Sequence, residues 1–326
     1  MKAIVVSEFG APEVLQYQDV SIPAAGAREV LIRVKSTSVN FADIKARYGN
    51  YHNGAKPPFI PGLDVAGTVE AIGSDVTGFT VGQRVIAFPN SGSYAEYAVA
   101  SEQLTFALPD SLNFSEAAAC PTVAFTSYKL LTEVGRLAPS ETVLVHAAAG
   151  GIGTTVIQMA KALGAGRIIG TVSSPEKITA AREAGADVVI CYSDTFDESV
   201  RELTNGQGVD LVLDSIGSWV SEKSMNCLAD YGRLVNFSNP SGEGGKILTT
   251  DLHSSCRSVL GYSLGTTLRK RPQALQDTAQ DVLRLLAQGT VKMNIGERFA
   301  LHDAAKAHRW MESRQSTGKI LLDVLQ

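Results

Sequence analysis

The chain has 326 residues, 44% of them hydrophobic, and its 33 acidic against 29 basic side chains give a formal net charge of −4. That length allows two domains and a large core, while the absence of any basic run argues against nucleic-acid binding or an anionic membrane surface. No apolar stretch reaches spanning length, the first ten residues lack the features of a signal peptide, and Cys120, Cys191, Cys227 and Cys256 are too scattered for a disulfide framework, so the expected setting is a reducing cytoplasm with no membrane partner.

In chain order, segments 2–6, 14–20, 30–35, 67–72, 84–88 and 95–99 are short, β-branched and separated by glycine or proline. They read as a β-rich, partly barrel-like domain. Residues 114–135 read as helices carrying the chain onward. Strands at 142–147, 167–172, 188–192, 211–214, 233–237 and 258–263 then alternate with helices at 152–163, 175–184, 196–204, 219–228 and 272–288. Alternation at this spacing predicts an α/β fold with a doubly wound parallel sheet of the Rossmann type. A last strand at 320–324 is expected to return to the first domain. The expected division is therefore 1–122, 123–265, and 266–326 for the last helix and the return, with the active site in the cleft between domains.

The turn after the strand at 142–147 reads Ala148-Ala-Gly-Gly-Ile-Gly153. It has the spacing of a dinucleotide-binding turn with alanine at the first place. Gly150 lets backbone approach a pyrophosphate, Gly153 lets helix pack on strand, and the helix N-terminus points free N–H groups at the ligand. The carboxyl end of the next strand carries no acid to hold a ribose 2′-hydroxyl. It reads Ser173-Ser174, with Lys177 just beyond. Small hydroxyls and a lysine suit a 2′-phosphate, so the expected cofactor is NADPH. The alternative for Lys177 is a solvated helix face.

Several ordered motifs then align with a known family: Val39-Asn-Phe-Ala-Asp43, Pro61-Gly-Leu-Asp-Val-Ala-Gly67, Val81-Gly-Gln-Arg-Val85, His146-Ala-Ala-Ala-Gly-Gly-Ile-Gly153, Ser173-Ser-Pro-Glu-Lys177, Asp214-Ser-Ile-Gly217, and Glu312-Ser-Arg314 with Gly318-Lys319. Over its whole length the chain resembles the quinone oxidoreductases, the zeta-crystallin-like branch of the medium-chain dehydrogenase/reductase superfamily. The resemblance implies a GroES-like catalytic domain beside the Rossmann domain, and a homodimer. It also implies a zinc-free site. Where zinc-dependent relatives carry a cysteine this chain has the Asn40 region, and their Gly-His-Glu reads Gly62-Leu63-Asp64. His52, His146, His253, His302 and His308 lack metal-ligand spacing.

By the same resemblance Asn40, Asp43 and Tyr51 are the candidates at the reacting centre, while Lys45 stands where bacterial members commonly have tyrosine. Asp43 has a second reading, as an acceptor bracing backbone N–H groups, and Tyr51 a second reading as pocket lining. The implied cofactor contacts are Thr126 and Tyr128, Gly151 and Ile152 over the pyrophosphate, and Arg314 and Lys319 toward the phosphates. Tyr192, Ser215, Phe237, Ser238 and Asn239 sit at strand ends, where such folds bind ligands; strand-end packing is the other reading of Tyr192. His146, inside a strand, reads as a satisfied core histidine. Without a metal, the chemistry implied is hydride transfer from NADPH to an electron-poor quinone. The alternatives are an α,β-unsaturated aldehyde or ketone, an enoyl thioester, or a crystallin-like protein that binds NADPH without turnover.

Overall fold

A computed structural model describes residues 1–51 and 55–324, and the chain forms two compact units: Met1–Phe125 with Gly265–Gln326, and Thr126–Leu264. The first unit opens with β1 (Lys2–Val6) antiparallel to β2 (Leu15–Asp19). Its longest strand, β3 (Glu29–Val39), is followed by the short helix α1 (Phe41–Arg47), β4 (Val65–Ile72), β5 (Arg84–Ala87), β6 (Tyr97–Ser101) and β7 (Thr105–Ala107). Register shifts along β3 and β4 bring the strands unusually close at Gly67, where a Cβ would lie 2.1 Å from the Arg33 carbonyl oxygen. Only glycine fits such an approach. Helices α2 (Phe114–Ala119) and α3 (Pro121–Lys129) lead into the second unit.

That unit is the βα repeat. It contains β8 (Thr142–Val145), α4 (Gly151–Ala162), β9 (Arg167–Val172), α5 (Ile178–Glu183), β10 (Val188–Cys191), α6 (Phe196–Leu203), β11 (Val209–Asp214), α7 (Trp219–Asn226), β12 (Leu228–Asn236), the short α8 (Thr250–His253) and β13 (Ser258–Gly261). The six strands are parallel and ordered β10-β9-β8-β11-β12-β13. Counted within the unit this is third, second, first, fourth, fifth, sixth: a Rossmann sheet with its switch point between β8 and β11. Leu144, Ile169, Phe196, Val212 and Leu234 form its core, each wholly buried. A side chain such as Phe196 contributes about 1.5–3 kcal/mol on leaving water.

The chain then re-enters the first unit through α9 (Leu264–Lys270) and α10 (Ala274–Ala287), and adds β14 (Ile295–Ala300), α11 (Ala304–Glu312) and β15 (Lys319–Asp323). β15 pairs with β3, completing the order β14-β15-β3-β4-β5-β7 with β6 also on β3. Ile320, Leu322 and Val324 join Ile32, Val34 and Tyr94 in one core. This is the β-rich, GroES-like part of an α/β chain.

Three local expectations need correction. Helix α1 interrupts the β-rich segment, and β14 and α11 occupy a stretch where the sequence pattern marks only a final strand. β14 exposes Gly296, Glu297 and Arg298, and α11 packs through Ala304, Ala307 and His308, so neither shows a stripe of large apolar residues. The helix expected over 175–184 is split into a tight turn, Pro175–Lys177, and α5; the Ser174 hydroxyl makes no capping bond to backbone and pairs instead with Glu176. Among the described residues no helix is long and apolar enough to cross a membrane.

Candidate active site

In the first unit, the end of β3 meets the start of β15. Asp64 is fully buried there: its Oδ2 accepts from the Ser38 hydroxyl (2.6 Å), the Asn40 amide (2.7 Å) and the Lys319 ammonium (3.2 Å). Its Oδ1 accepts from the backbone N–H (2.8 Å) and hydroxyl (2.6 Å) of Thr122. A carboxylate has about four lone-pair sites, so nothing is left over. Lys319 also donates to Asn40 Oδ1 (2.6 Å) and to the Val39 carbonyl (3.2 Å). Asn40 is thus held at both ends of its amide, and its orientation is set by a lysine 279 positions away.

This revises the expectation for Lys319. An ammonium has three donors, all three have acceptors inside the unit, and the side chain is only 3% exposed. It is an internal cation, not a phosphate ligand. Arg314 lies at the end of α11, exposed and at φ 58°, and its guanidinium has no hydrogen-bond partner among the described residues.

Asp43, on α1, accepts at Oδ2 from the Asn40 backbone N–H (2.8 Å) and the Tyr94 hydroxyl (3.2 Å). It braces backbone, as its second reading anticipates, but it also lines a cavity of about 870 Å³ with Tyr51, Phe59, Leu63, Phe88 and Arg269. Burial pushes the Asp43 carboxyl up to about 7. The Tyr51 phenol, raised by burial, sits where a Cβ on Gly265 would come within 2.9 Å of its hydroxyl, with Arg269 acting in the opposite direction. Asn40, Asp43 and Tyr51 therefore belong to one neighbourhood, with Asp43 and Tyr51 on the cavity itself.

The second unit carries a separate cradle. Gly150 caps α4 with extended backbone and no side-chain bond, so the first-turn N–H groups of Gly151, Ile152 and Gly153 face outward along the helix axis. A Cβ at Gly150 would meet only the Ala147 carbonyl oxygen, at 3.3 Å; at Gly153 it would lie 2.4 Å from that oxygen and 2.6 Å from the Ala148 carbonyl carbon. Gly153 serves helix-on-strand packing, whereas the space over Gly150 is open to a ligand. Because the strands are parallel, Ser173 and Ser174 after β9, Ser215 after β11, and Phe237, Ser238 and Asn239 after β12 reach the same edge of the sheet. Lys177 is half-buried just beyond Ser174. Thr126, buried, and Tyr128, half-buried, lie on α3.

Tyr192 is held within the second unit. Its hydroxyl accepts from the Ala147 N–H (3.2 Å) and pairs with Thr171, its ring stacks on His146 at 5.7 Å, and burial raises its phenol well beyond the usual range. These contacts fit its second reading, strand-end packing. His146 bonds Thr171 (2.9 Å) and Ser224 (2.8 Å), and burial lowers its imidazole to about 4, making it the satisfied core histidine expected. The sequence reading missed Ser38, Asp64, Tyr94, Thr122, Arg269 and His308. Of these only Asp64 lay in a recognised motif.

Comparison with known proteins agrees with this architecture. Residues 26–110 match the family model for the alcohol dehydrogenase GroES-like domain, and residues 151–288 that for the zinc-binding dehydrogenases. A quinone oxidoreductase of Pseudomonas aeruginosa is 40% identical over 98% of the chain and 99% of its own length. Among solved structures, a mycobacterial protein complexed with NADPH superposes with a TM-score of 0.92 at 35% identity, covering 99% of this chain and 100% of that one. The Escherichia coli quinone oxidoreductase complexed with NADPH does so with a TM-score of 0.90 at 32% identity, again covering 99% and 100%. The chain belongs to the quinone oxidoreductase, zeta-crystallin-like family of the medium-chain dehydrogenase/reductase superfamily, and is an oxidoreductase.

The zinc in the second family model's description does not suit these residues. Asn40 and Asp64 already share the Lys319 ammonium, and burial holds the nearby Cys120 thiol protonated. No group of three or more His, Cys, Asp or Glu side chains that could hold a metal occurs among the described residues, which exclude His52.

Proposed function

We propose that the chain is an NADPH-dependent reductase of quinones that works without zinc. The observation that carries this reading is the Asn40–Asp64–Lys319 cluster beside a cavity lined by Asp43 and Tyr51, with a fixed ammonium in the place of a metal. Oxidising an alcohol requires its hydroxyl to be deprotonated, which a Lewis acid assists. A quinone is already electron-poor and needs only positioning, exclusion of water and polar contacts for developing oxyanion character. NADPH, when bound, supplies a hydride.

On this reading the backbone at Gly150–Gly153 holds the pyrophosphate, and Ser173, Ser174 and Lys177 hold the 2′-phosphate. Ser215, Phe237, Ser238 and Asn239 flank the nucleotide along the strand ends. Thr126, Tyr128 and Arg314 complete its contacts, Asn40 orients the reacting region, and Tyr51 contacts the acceptor. The same reading places the protein in the cytoplasm as a homodimer, which fractionation and sedimentation check.

The direct test is NADPH oxidation with a benzoquinone, a naphthoquinone and a 2-alkenal in parallel, against controls lacking enzyme. Turnover of the quinones is the expected result. Preference for the alkenal would reassign the acceptor to an activated C=C. Tight NADPH binding without any turnover would favour a non-catalytic role.

A further inference from the structure

We propose that Asp43 delivers the proton of the reduction into the cavity from its Oδ1, and that Arg47, His308 and Tyr94 form a one-way chain of donors that reserves that oxygen for the task. The proposal rests on the reductase reading above and adds the proton source. Arg47 is fully buried at the end of α1; its guanidinium is held by Glu312 Oε1 (2.6 Å) and the Gly10 carbonyl (2.9 Å) and packs over the Tyr48 ring at 4.4 Å. Arginine can only donate, so its 3.1 Å contact with His308 Nδ1 makes that nitrogen an acceptor. The neutral ring then carries its hydrogen on Nε2, which lies 3.1 Å from the Tyr94 hydroxyl oxygen. That hydroxyl has one hydrogen, and it points to Asp43 Oδ2 at 3.2 Å.

The direction of every link follows from the first. Oδ2 of Asp43 receives two donors, from Tyr94 and from the Asn40 backbone, whereas none of the described residues donates to Oδ1. A proton added to the carboxylate therefore settles on Oδ1, and Asp43 lines the cavity. The groups facing Asp43 oppose one another. Burial and Asp64 favour its neutral form; the Asn40 N–H, Lys319 and the Tyr94 hydroxyl favour the charged one, and the Tyr51 phenol also feels its charge. The balance lies at about 7, where a carboxylic acid can both give and regain a proton. Burial and the Arg47 charge lower His308 to about 3, which keeps its ring neutral and the chain one-way.

Two-electron reduction of a quinone consumes one hydride and one proton. As the acceptor takes the hydride, the Asp43 O–H bond breaks, the proton bonds to the acceptor's oxygen, and the electron pair stays on the carboxylate. Water then returns a proton to Asp43. Arg47, His308 and Tyr94 are positioning residues in this scheme and move no proton themselves.

The test combines a pH profile with a titration that needs no acceptor. In the full-length protein, quinone turnover should fall as pH rises through about 7. Asp43→Asn, which preserves the acceptor for Tyr94 and Asn40, should lower kcat by roughly 10²–10⁴-fold and flatten the profile. Tyr94→Phe should fold, retain turnover at low pH and move the break upward, because a donor to the charged form is gone. Carbon-13 NMR of aspartate-labelled protein should show Asp43 titrating near neutrality, and higher in Tyr94→Phe. An Asp43→Asn variant with wild-type rate and profile overturns proton delivery; an Asp43 resonance that titrates in the ordinary carboxylate range, or does not respond to Tyr94→Phe, overturns the donor chain. Absence of turnover by wild type with every acceptor removes the reductase reading and proton delivery with it, while the NMR titration still decides the chain.

Discussion

Lys319 and Asp64 are 3% and 0% exposed, so their charges lie outside the reach of water and depend on each other. Removing one partner of such a pair leaves the other charge buried and uncompensated, a loss of about 3–5 kcal/mol. Lys319→Met should therefore destabilise the first unit by about that amount in urea unfolding and release Asn40 from its fixed orientation; a change below about 1 kcal/mol, the range of an exposed pair, would show that the pair is not isolated from solvent. These contacts explain how little of the site could be read one residue at a time. Asn40, Asp43 and Tyr51 lie in or just after a recognisable motif. The groups that govern them are brought in from far along the chain: Lys319 is 255 positions from Asp64, Tyr94 is 214 from His308, and Arg47 is 261 from His308. Each of those side chains read alone is an ordinary surface base, aromatic or histidine, and only the fold gives it a partner.

At the scale of elements, the legible parts were those where backbone geometry restricts the residue. The turn between β8 and α4 tolerates few sequences, and the six parallel strands are bounded by glycines and helix starts that the pattern marks well. α11 and β14 were opaque because small alanines and an exposed edge carry their packing. The turn also separates two roles that sequence alone runs together. Gly153→Ala forces a Cβ against backbone at 2.4 Å and should destabilise the second unit by about 1–3 kcal/mol. Gly150→Ala meets a single oxygen at 3.3 Å, so its melting temperature should stay near wild type while NADPH affinity falls. Calorimetry and a fluorescence titration on both variants decide this; equal affinity loss with equal destabilisation would mean that both glycines serve packing alone.

For the whole molecule, acid should act unevenly on the two units. A buried histidine with lowered pKa contributes stability that is present above its unfolded value of about 6.5 and is lost as pH falls toward its folded value, at about 1.4 kcal/mol per pH unit. In the second unit His146, lowered by burial to about 4, acts in this way. In the first unit His308, lowered to about 3, does the same, but Asp43 opposes it. A carboxyl raised to about 7 contributes stability that is complete below its unfolded value and lost as pH rises through 7. Between about pH 4 and 6.5 these two contributions cancel. Hydrogen exchange followed from pH 7 to 5 should show protection falling in the second unit and holding in the first. Asp43→Asn should make the first unit acid-sensitive too. Parallel losses in both units of the wild type would refute the assignment.

The first unit is interrupted in sequence, and this gives the molecule an order in time. A chain emerging from the ribosome presents β3 early, yet its partner β15 follows the whole of the second unit. The second unit holds all its strands within Thr126–Leu264 and can close first. The 55 positions from Leu264 to Lys319 then take about 3–11 seconds at about 5–20 residues per second. Through that interval the Ser36–Val39 end of β3 lacks its partner on that edge, while β6 already covers Glu29–Arg33, and the open end is a template for the wrong strand. The newborn protein is thus most exposed to aggregation at the open end of β3, and its need for a chaperone lasts until β15 emerges.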